Sequence, residues 1–346
     1  MPNSLRGTGF VSHHGDEAQA GGCGRGRRRA NWDTTMRLLE LVEREAESAL
    51  LSAAFERLVA GSGQVVLVAG EAGIGKTSLI QAALARAPDG VRVLTGGCDD
   101  LVAPNPLGAI REAFADTDAG LGDLAAAGAI HDVLERLVAN VHDGGATALV
   151  IEDLHWADDA TIDVVAYLAR RLDHLPLLLI VSFRDDEVDA GHPAQRFLAV
   201  APAGATTYVR PTPFSVAGVA ALCTGTPYDP AELHGITSGN PFFVTESLAA
   251  PADQALPASV AAAVTARLRR LSPPGHAALE SVSVWTGLLD FDFAEALLGP
   301  DLAQLSEAEQ LGILVGESGG LRFRHELARR GHGVGPDQSA ASAGRP

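Results

Sequence analysis

Lysine is almost missing from this sequence: of 26 basic residues in 346, Lys76 is the single lysine and the rest are arginines. Cysteine is scarce as well. Cys23, Cys98 and Cys223 are too few and too widely spaced for a disulfide framework or a zinc site, and a reducing, cytoplasmic setting suits them. Long hydrophobic runs are also lacking. The stretch Leu175 to Phe183 suffices for a buried strand and not for a membrane span, so no membrane partner is expected. Positive charge is in deficit, the formal net charge being −17, and the dense basic run Arg25, Arg27, Arg28 and Arg29 lies in a glycine-rich leader. Non-specific nucleic-acid binding draws on many Lys/Arg–phosphate contacts, so an acidic body argues against direct nucleic-acid binding by this chain. The arginine cluster is no export signal either, because Asn31-Trp32-Asp33-Thr34-Thr35 follows where an apolar core would begin.

What is present starts with a 47% hydrophobic composition, enough for a substantial core and two or three domains. The one lysine stands in Gly70-Glu71-Ala72-Gly73-Ile74-Gly75-Lys76-Thr77, a complete G-x-x-x-x-G-K-[ST] phosphate-binding loop. A compact ammonium on a flexible stem threads between phosphates where the planar arginine fork does not fit. Glycines let backbone N–H groups turn inward as an anion nest, and the helix opening at Lys76, Thr77 and Ser78 points its positive end at the phosphates. Thr77 supplies a hydroxyl for Mg²⁺. The context agrees, with Gln64 to Ala69 reading as a buried strand before the loop and Ser78 to Ala87 as a helix after it. The loop therefore points to a nucleotide, ATP or ADP with Mg²⁺, as ligand.

Further strands are expected at Val91 to Thr95, Ala148 to Glu152, Leu177 to Phe183 and Thr207 to Arg210, separated by helical stretches. Alternation of this kind implies an α/β fold whose parallel sheet is covered on both faces, with the loop at the carboxyl end of its first strand. Beyond Phe214 the pattern turns helical, closing with Ile313 to Val315, the turn Gly319-Gly320 and Leu321 to Phe323 as a hairpin, which suggests a winged helix. The expected organisation is a leader over 1–35, with the structured chain opening at Met36, a nucleotide-binding core over 36–212, a helical lid over 213–255, a winged-helix-like domain over 256–330 and a tail over 331–346. Leader and tail lack any core pattern and read as disordered.

Ala148 to Ile151 is an apolar strand ending in Glu152 and Asp153, which is how carboxylates are presented to Mg²⁺ and to an attacking water. By position Glu152 holds the metal shell and Asp153 orients or deprotonates water, although the longer Glu152 side chain leaves open that Asp153 takes the metal. Leu177 to Phe183 delivers Ser182 and Arg184 beside these acids, where Arg184 suits a γ-phosphate sensor or pairs with Asp185, Asp186 or Glu187. His155 and Trp156 read as packing residues.

The run Glu152-Asp153-Leu154-His155-Trp156-Ala157-Asp158, with the Gly70 to Thr77 loop and Ser238-Gly239-Asn240-Pro241-Phe242-Phe243, resembles the ATPase module of large LuxR-type bacterial transcriptional regulators. Those belong to the STAND class of AAA-related phosphate-loop ATPases. Leu41 to Glu45, Gly97-Cys98-Asp99, Phe183 to Glu187 and Phe323 to Arg329 extend the resemblance over about residues 37 to 330. It implies a P-loop NTPase with a five-stranded parallel sheet, a helical lid and a winged helix around ATP or ADP, acting as a slowly hydrolysing switch. It also implies that Pro241 packs on adenine, that Val42 and Arg44 lie near the base, and that His325 contacts the β-phosphate of ADP. Pro241 equally suits the first position of a helix. Full-length relatives continue into a sensor region and a helix-turn-helix, which residues 331–346 do not resemble. Self-association or a partner protein is compatible with such a module. The alternatives are a P-loop small-molecule kinase and an origin-recognition-like ATPase gripping DNA through Arg267, Arg269 and Arg270.

Overall fold

The structure, a computed structural model, describes residues 41–100, 106–117, 130–249, 258–285, 287–325 and 329. Leu41 and Val42 belong to a separate unit, and every strand and helix named here lies in the unit that begins at Glu43. The leader before Met36 and the tail from Gly331 lie outside the described residues.

Helix α1 (Glu45–Val59) buries Leu51, Ala54, Phe55 and Leu58, an i, i+3, i+4, i+7 stripe that seats it on the sheet. Strands β1 (Gln64–Ala69), β2 (Arg92–Gly97), β3 (Thr147–Glu152), β4 (Leu177–Phe183) and β5 (Thr206–Val209) form one parallel sheet in the order β2-β3-β4-β1-β5. Strands β1 and β4 are buried at every position, as expected for strands covered on both faces. Helices α2 (Lys76–Leu84), α3 (Gly108–Ala113), α4 (Ile130–Asp143), α5 (Asp159–Ala169) and α6 (Gln195–Val200) supply the cover. The order matters for the site, because β4 is inserted between β1 and β3. The loop after β1 and the acids after β3 therefore flank the carboxyl end of β4, where the crevice of such a sheet opens.

Helices α7 (Val216–Cys223), α8 (Pro230–Thr237) and α9 (Pro241–Ala249) come after the sheet. Next are α10 (Ala258–Leu268), α11 (Pro273–Val282), β6 (Leu289–Asp290), α12 (Phe291–Leu298), α13 (Leu305–Gln310), β7 (Leu314–Glu317) and β8 (Gly320–Phe323). The hairpin expected around Gly319 forms as β7–β8, and the unforeseen two-residue β6 adds to it as an antiparallel sheet ordered β6-β8-β7. The helical pattern expected beyond Phe214 is interrupted after Leu298. Pro300 opens a tight 3₁₀ segment, Gly299–Gln304, and α-helical geometry begins only at Leu305. Phe243 of α9 shares one apolar cluster with Leu268, Leu279, Ile313 and Leu321, so α9 packs into the C-terminal elements.

Cys98 and Cys223 are free and buried, and burial pushes the Cys98 thiol up to about 12, which leaves it unreactive. No helix among the described residues is long and apolar enough to cross a membrane.

Candidate nucleotide site

The loop between β1 and α2 is shaped by Gly73 and Gly75, whose φ angles of 77° and 97° lie in the left-handed region. Gly75 is the residue before α2 and provides no side-chain cap. The first N–H groups of the helix, those of Lys76, Thr77 and Ser78, have no intrahelical acceptor and stand ready for an anion. A Cβ at Gly75 would meet nothing within 4 Å, so there is open space beside the loop at that residue. Lys76 is buried, its Nζ donating to the carbonyls of Gly70 at 2.7 Å and Glu71 at 3.0 Å. Burial lowers its pKa, while Asp153 pulls the other way.

The Thr77 hydroxyl donates to Glu152 Oε2 at 2.6 Å, which brings a hydroxyl and a carboxylate together as hard oxygen donors. Asp153 adopts φ 55°, a left-handed conformation tolerated by Asp and Asn, and its N–H donates to Ser182 Oγ at 3.0 Å. Burial raises the pKa of both Glu152 and Asp153. The open nest, the lysine and the paired oxygens fit a magnesium-bound nucleotide.

Arg184 lies with its guanidinium 4.6 Å from the centre of the Trp156 ring and donates to Glu187 Oε1 at 2.8 Å. Of the three acids weighed as its partner, Glu187 makes the bond. Buried His155 has both ring nitrogens without hydrogen-bond partners among the described residues, and burial holds its pKa at about 3, so it packs as neutral imidazole. Asp158, from the same sequence run, caps α5 by accepting from the N–H groups of Ala160 and Thr161, each at 3.0 Å.

Arg44 is buried, donating to Thr212 O at 2.7 Å and Ile74 O at 3.3 Å beneath the Phe214 ring. It thus ties the loop to the segment after β5. Val42 falls in the preceding unit. Pro241 is the first residue of α9, the position its fixed φ favours. Gly239 before it is required sterically, since a Cβ would stand 2.1 Å from Phe214 O.

Sequence reasoning missed the role of Glu71. Its carboxylate, 8% exposed, accepts from Asn240 Nδ2 at 2.8 Å and Arg324 at 2.9 Å, and lies 3.5 Å from His325 Nε2. His325 Nδ1 donates to Thr237 O at 3.1 Å. Asn240 also donates to Ala72 O, and the Phe242 N–H donates to Gly73 O. The phosphate loop is therefore gripped from outside by residues on either side of α9's start and after β8. A cavity of about 840 Å³ opens beside this contact, walled by Gly73, Trp156, Arg184, Phe242 and Arg267. One signal did exist in the sequence: a carboxylate within an anion-binding loop requires a cationic partner.

This sheet order, loop and acid pair decide the fold class. The fold is that of a P-loop NTPase. Residues 40–181 match the AAA ATPase domain family. A Walker-type ATPase of Pyrococcus abyssi superposes with a TM-score of 0.56 at 17% identity, over 85% of this chain and 97% of that one. A signal transduction ATPase with numerous domains, with a tetratricopeptide repeat sensor, from Pyrococcus horikoshii aligns at 18% identity with a TM-score of 0.38, over 81% of this chain and 41% of that one. An uncharacterized protein of Rhizobium meliloti (strain 1021) is 24% identical over an alignment 205 positions long that covers 45% of this chain. The match spans about a fifth of that relative's length.

Proposed function

We propose that this P-loop NTPase binds MgATP and hydrolyses it slowly, as the regulatory switch module of a LuxR-type, STAND-class transcriptional regulator. The observation that carries the reading is the double engagement of the phosphate loop. Its inner side presents Lys76 and the Thr77–Glu152 pair, and its outer side holds Asn240, Phe242, Arg324 and His325. A loop that touches both nucleotide and a helical unit suits a switch, because a nucleotide with different affinity for the docked and undocked forms shifts that equilibrium.

Bound MgATP supplies the phosphoanhydride that is cleaved. The loop N–H groups and Lys76 hold the phosphates, Thr77 and Glu152 hold the metal shell, and Asp153 orients or deprotonates the water. Arg184 acts as γ-phosphate sensor; it donates to Glu187 and lies over the Trp156 ring. Pro241 and Arg44 serve the base and His325 the β-phosphate, as the family resemblance implies. In this reading 36–212 is the core, 213–255 the lid and 256–330 a winged helix, for which α10 to α13 and the β7–β8 hairpin are the support.

A cytoplasmic protein that passes its state to another protein or another copy, and not directly to DNA, is the consequence of this reading. Arg267 and Arg270, two of the three arginines of the suspected basic face, are paired with Asp186 at 3.7 Å and Glu187 at 2.9 Å. The test is nucleotide content of the purified protein and its turnover with and without DNA. Retained ADP and turnover indifferent to DNA are expected. Rapid turnover with a small acceptor, or strong stimulation by DNA, overturns the reading in favour of a kinase or an origin-recognition-like ATPase.

A further inference from the structure

Glu71 is an anion inside a loop built to hold anions. Left unpaired, its carboxylate opposes any phosphate drawn to the nest, and its burial makes that charge costlier still. The compensating charge comes from far along the chain, from Arg324 at 2.9 Å, with Asn240 contributing a neutral donor at 2.8 Å and the His325 ring lying 3.5 Å away. Burial works against the charged form, yet His325, Arg324 and Asn240 together hold the Glu71 carboxyl down at about 2. Two atoms in this group, Arg324 Nε and His325 Nε2, are buried and have no hydrogen-bond partner among the described residues. The backbone closes the same contact, with the Ser238 hydroxyl donating to Arg324 O at 2.7 Å.

We propose that Glu71 is a positioning residue that makes the segment after β8 an obligatory part of the nucleotide site: Arg324 neutralises the loop's own carboxylate, so phosphate affinity depends on that segment being docked. The proposal rests on the nucleotide-binding reading and adds a regulatory consequence to it. When the segment docks, the loop is electrostatically ready. When it leaves, Glu71 is exposed beside the nest and disfavours the phosphates. Anything that pulls the segment from the loop thereby promotes nucleotide release, and nucleotide binding in turn strengthens docking, since linkage is reciprocal.

A charge-rescue experiment on the full chain separates this from a merely structural role. MgADP and MgATP are titrated calorimetrically into wild type, Arg324→Met, Glu71→Gln and the double variant. Arg324→Met is expected to weaken both nucleotides by on the order of tenfold or more, the scale of a lost charged hydrogen bond. Glu71→Gln in that background is expected to restore most of the affinity, because the repelling charge is gone. A structural role predicts the opposite, with the double variant binding no better than Arg324→Met, and that result overturns the proposal. Hydrogen exchange of the nucleotide-free protein provides a second readout. Glu71→Gln should raise exchange in β7 and β8 while leaving β1, β3 and β4 unchanged, and unchanged exchange in the hairpin also overturns the proposal. If wild type binds neither nucleotide, the functional reading fails by itself, and exchange alone then decides whether Glu71 anchors the segment.

Discussion

Alanine placed at Gly73 and at Gly75 tests whether the two sides of the phosphate loop differ in what they face. Both glycines have φ in the left-handed region, at 77° and 97°, so each substitution incurs the backbone penalty of an L-residue there, roughly 1–2 kcal/mol. Beyond that the two part. At Gly75 the new methyl meets nothing within 4 Å, whereas at Gly73 it would stand 2.6 Å from Phe242 Cβ and 3.0 Å from Asn240 Oδ1. Phe242 is tied by its N–H to Gly73 O, so relief requires moving the start of α9. Overpacking of this kind costs about 1–3 kcal/mol. Gly73→Ala is therefore expected to destabilise by roughly 2–5 kcal/mol and Gly75→Ala by only about 1–2 kcal/mol. Nucleotide affinity is expected to fall in both variants, because each strains the left-handed backbone that turns the loop's N–H groups inward. Urea denaturation followed by circular dichroism, with nucleotide titration under native conditions, measures both. Phe242→Ala should not rescue Gly73→Ala, since the nearest atom is the Cβ that alanine retains. Equal destabilisation by the two alanines, or a larger effect at Gly75, refutes the docking of α9 on the loop.

Lys76→Ala is expected to remove most MgATP affinity, and Lys76→Arg should not restore it because the planar fork cannot follow the phosphate path; titration with a fluorescent ATP analogue checks both. Asp153→Asn should keep ATP binding and slow hydrolysis, and since Asn also tolerates the left-handed φ of 55° the change isolates the charge. Glu152→Gln should instead weaken the Mg²⁺ dependence of binding, and an exchange of the two phenotypes in steady-state assays reverses the assigned roles. Glu71 has a folded pKa of about 2 against an ordinary 4.5, so its stabilisation is complete above pH 4.5 and lost as pH falls through 2. That amounts to about 3 kcal/mol, and the urea midpoint of Glu71→Gln should lose less between pH 6 and pH 3 than that of wild type.

The sheet was legible because its strands carry their burial in their composition. Val65 to Ala69 and Leu177 to Val181 are unbroken apolar runs, and strands form over Gln64–Ala69 and Leu177–Phe183. The phosphate loop was legible for a different reason: it is contiguous, so its glycines, lysine and threonine announce one backbone geometry at one place. β6 escaped because a two-residue strand has no period to detect. The 3₁₀ segment at Gly299–Gln304 escaped because its leucine spacing is compatible with either helix. Strand order was not legible either. Alternation predicts parallel strands, but nothing local in Leu177 to Phe183 states that β4 lies between β1 and β3.

The outer half of the site was the least legible part, and Glu71 shows why. In the motif it occupies a position where any residue is allowed, so pattern reading treats it as filler. Its partners Asn240 and Arg324 lie 169 and 253 positions away, beyond any local periodicity. In the sequence both belong to segments singled out only for a family resemblance, with no role given to either residue. Only the electrostatic argument joins them, since a buried carboxylate next to an anion nest is unfavourable unless a cation is brought to it. That argument predicts the existence of a partner and not its address. The fold provides the address, by returning the chain after β8 to the outer face of the loop, and so turns an unconstrained motif position into the link between nucleotide site and C-terminal elements.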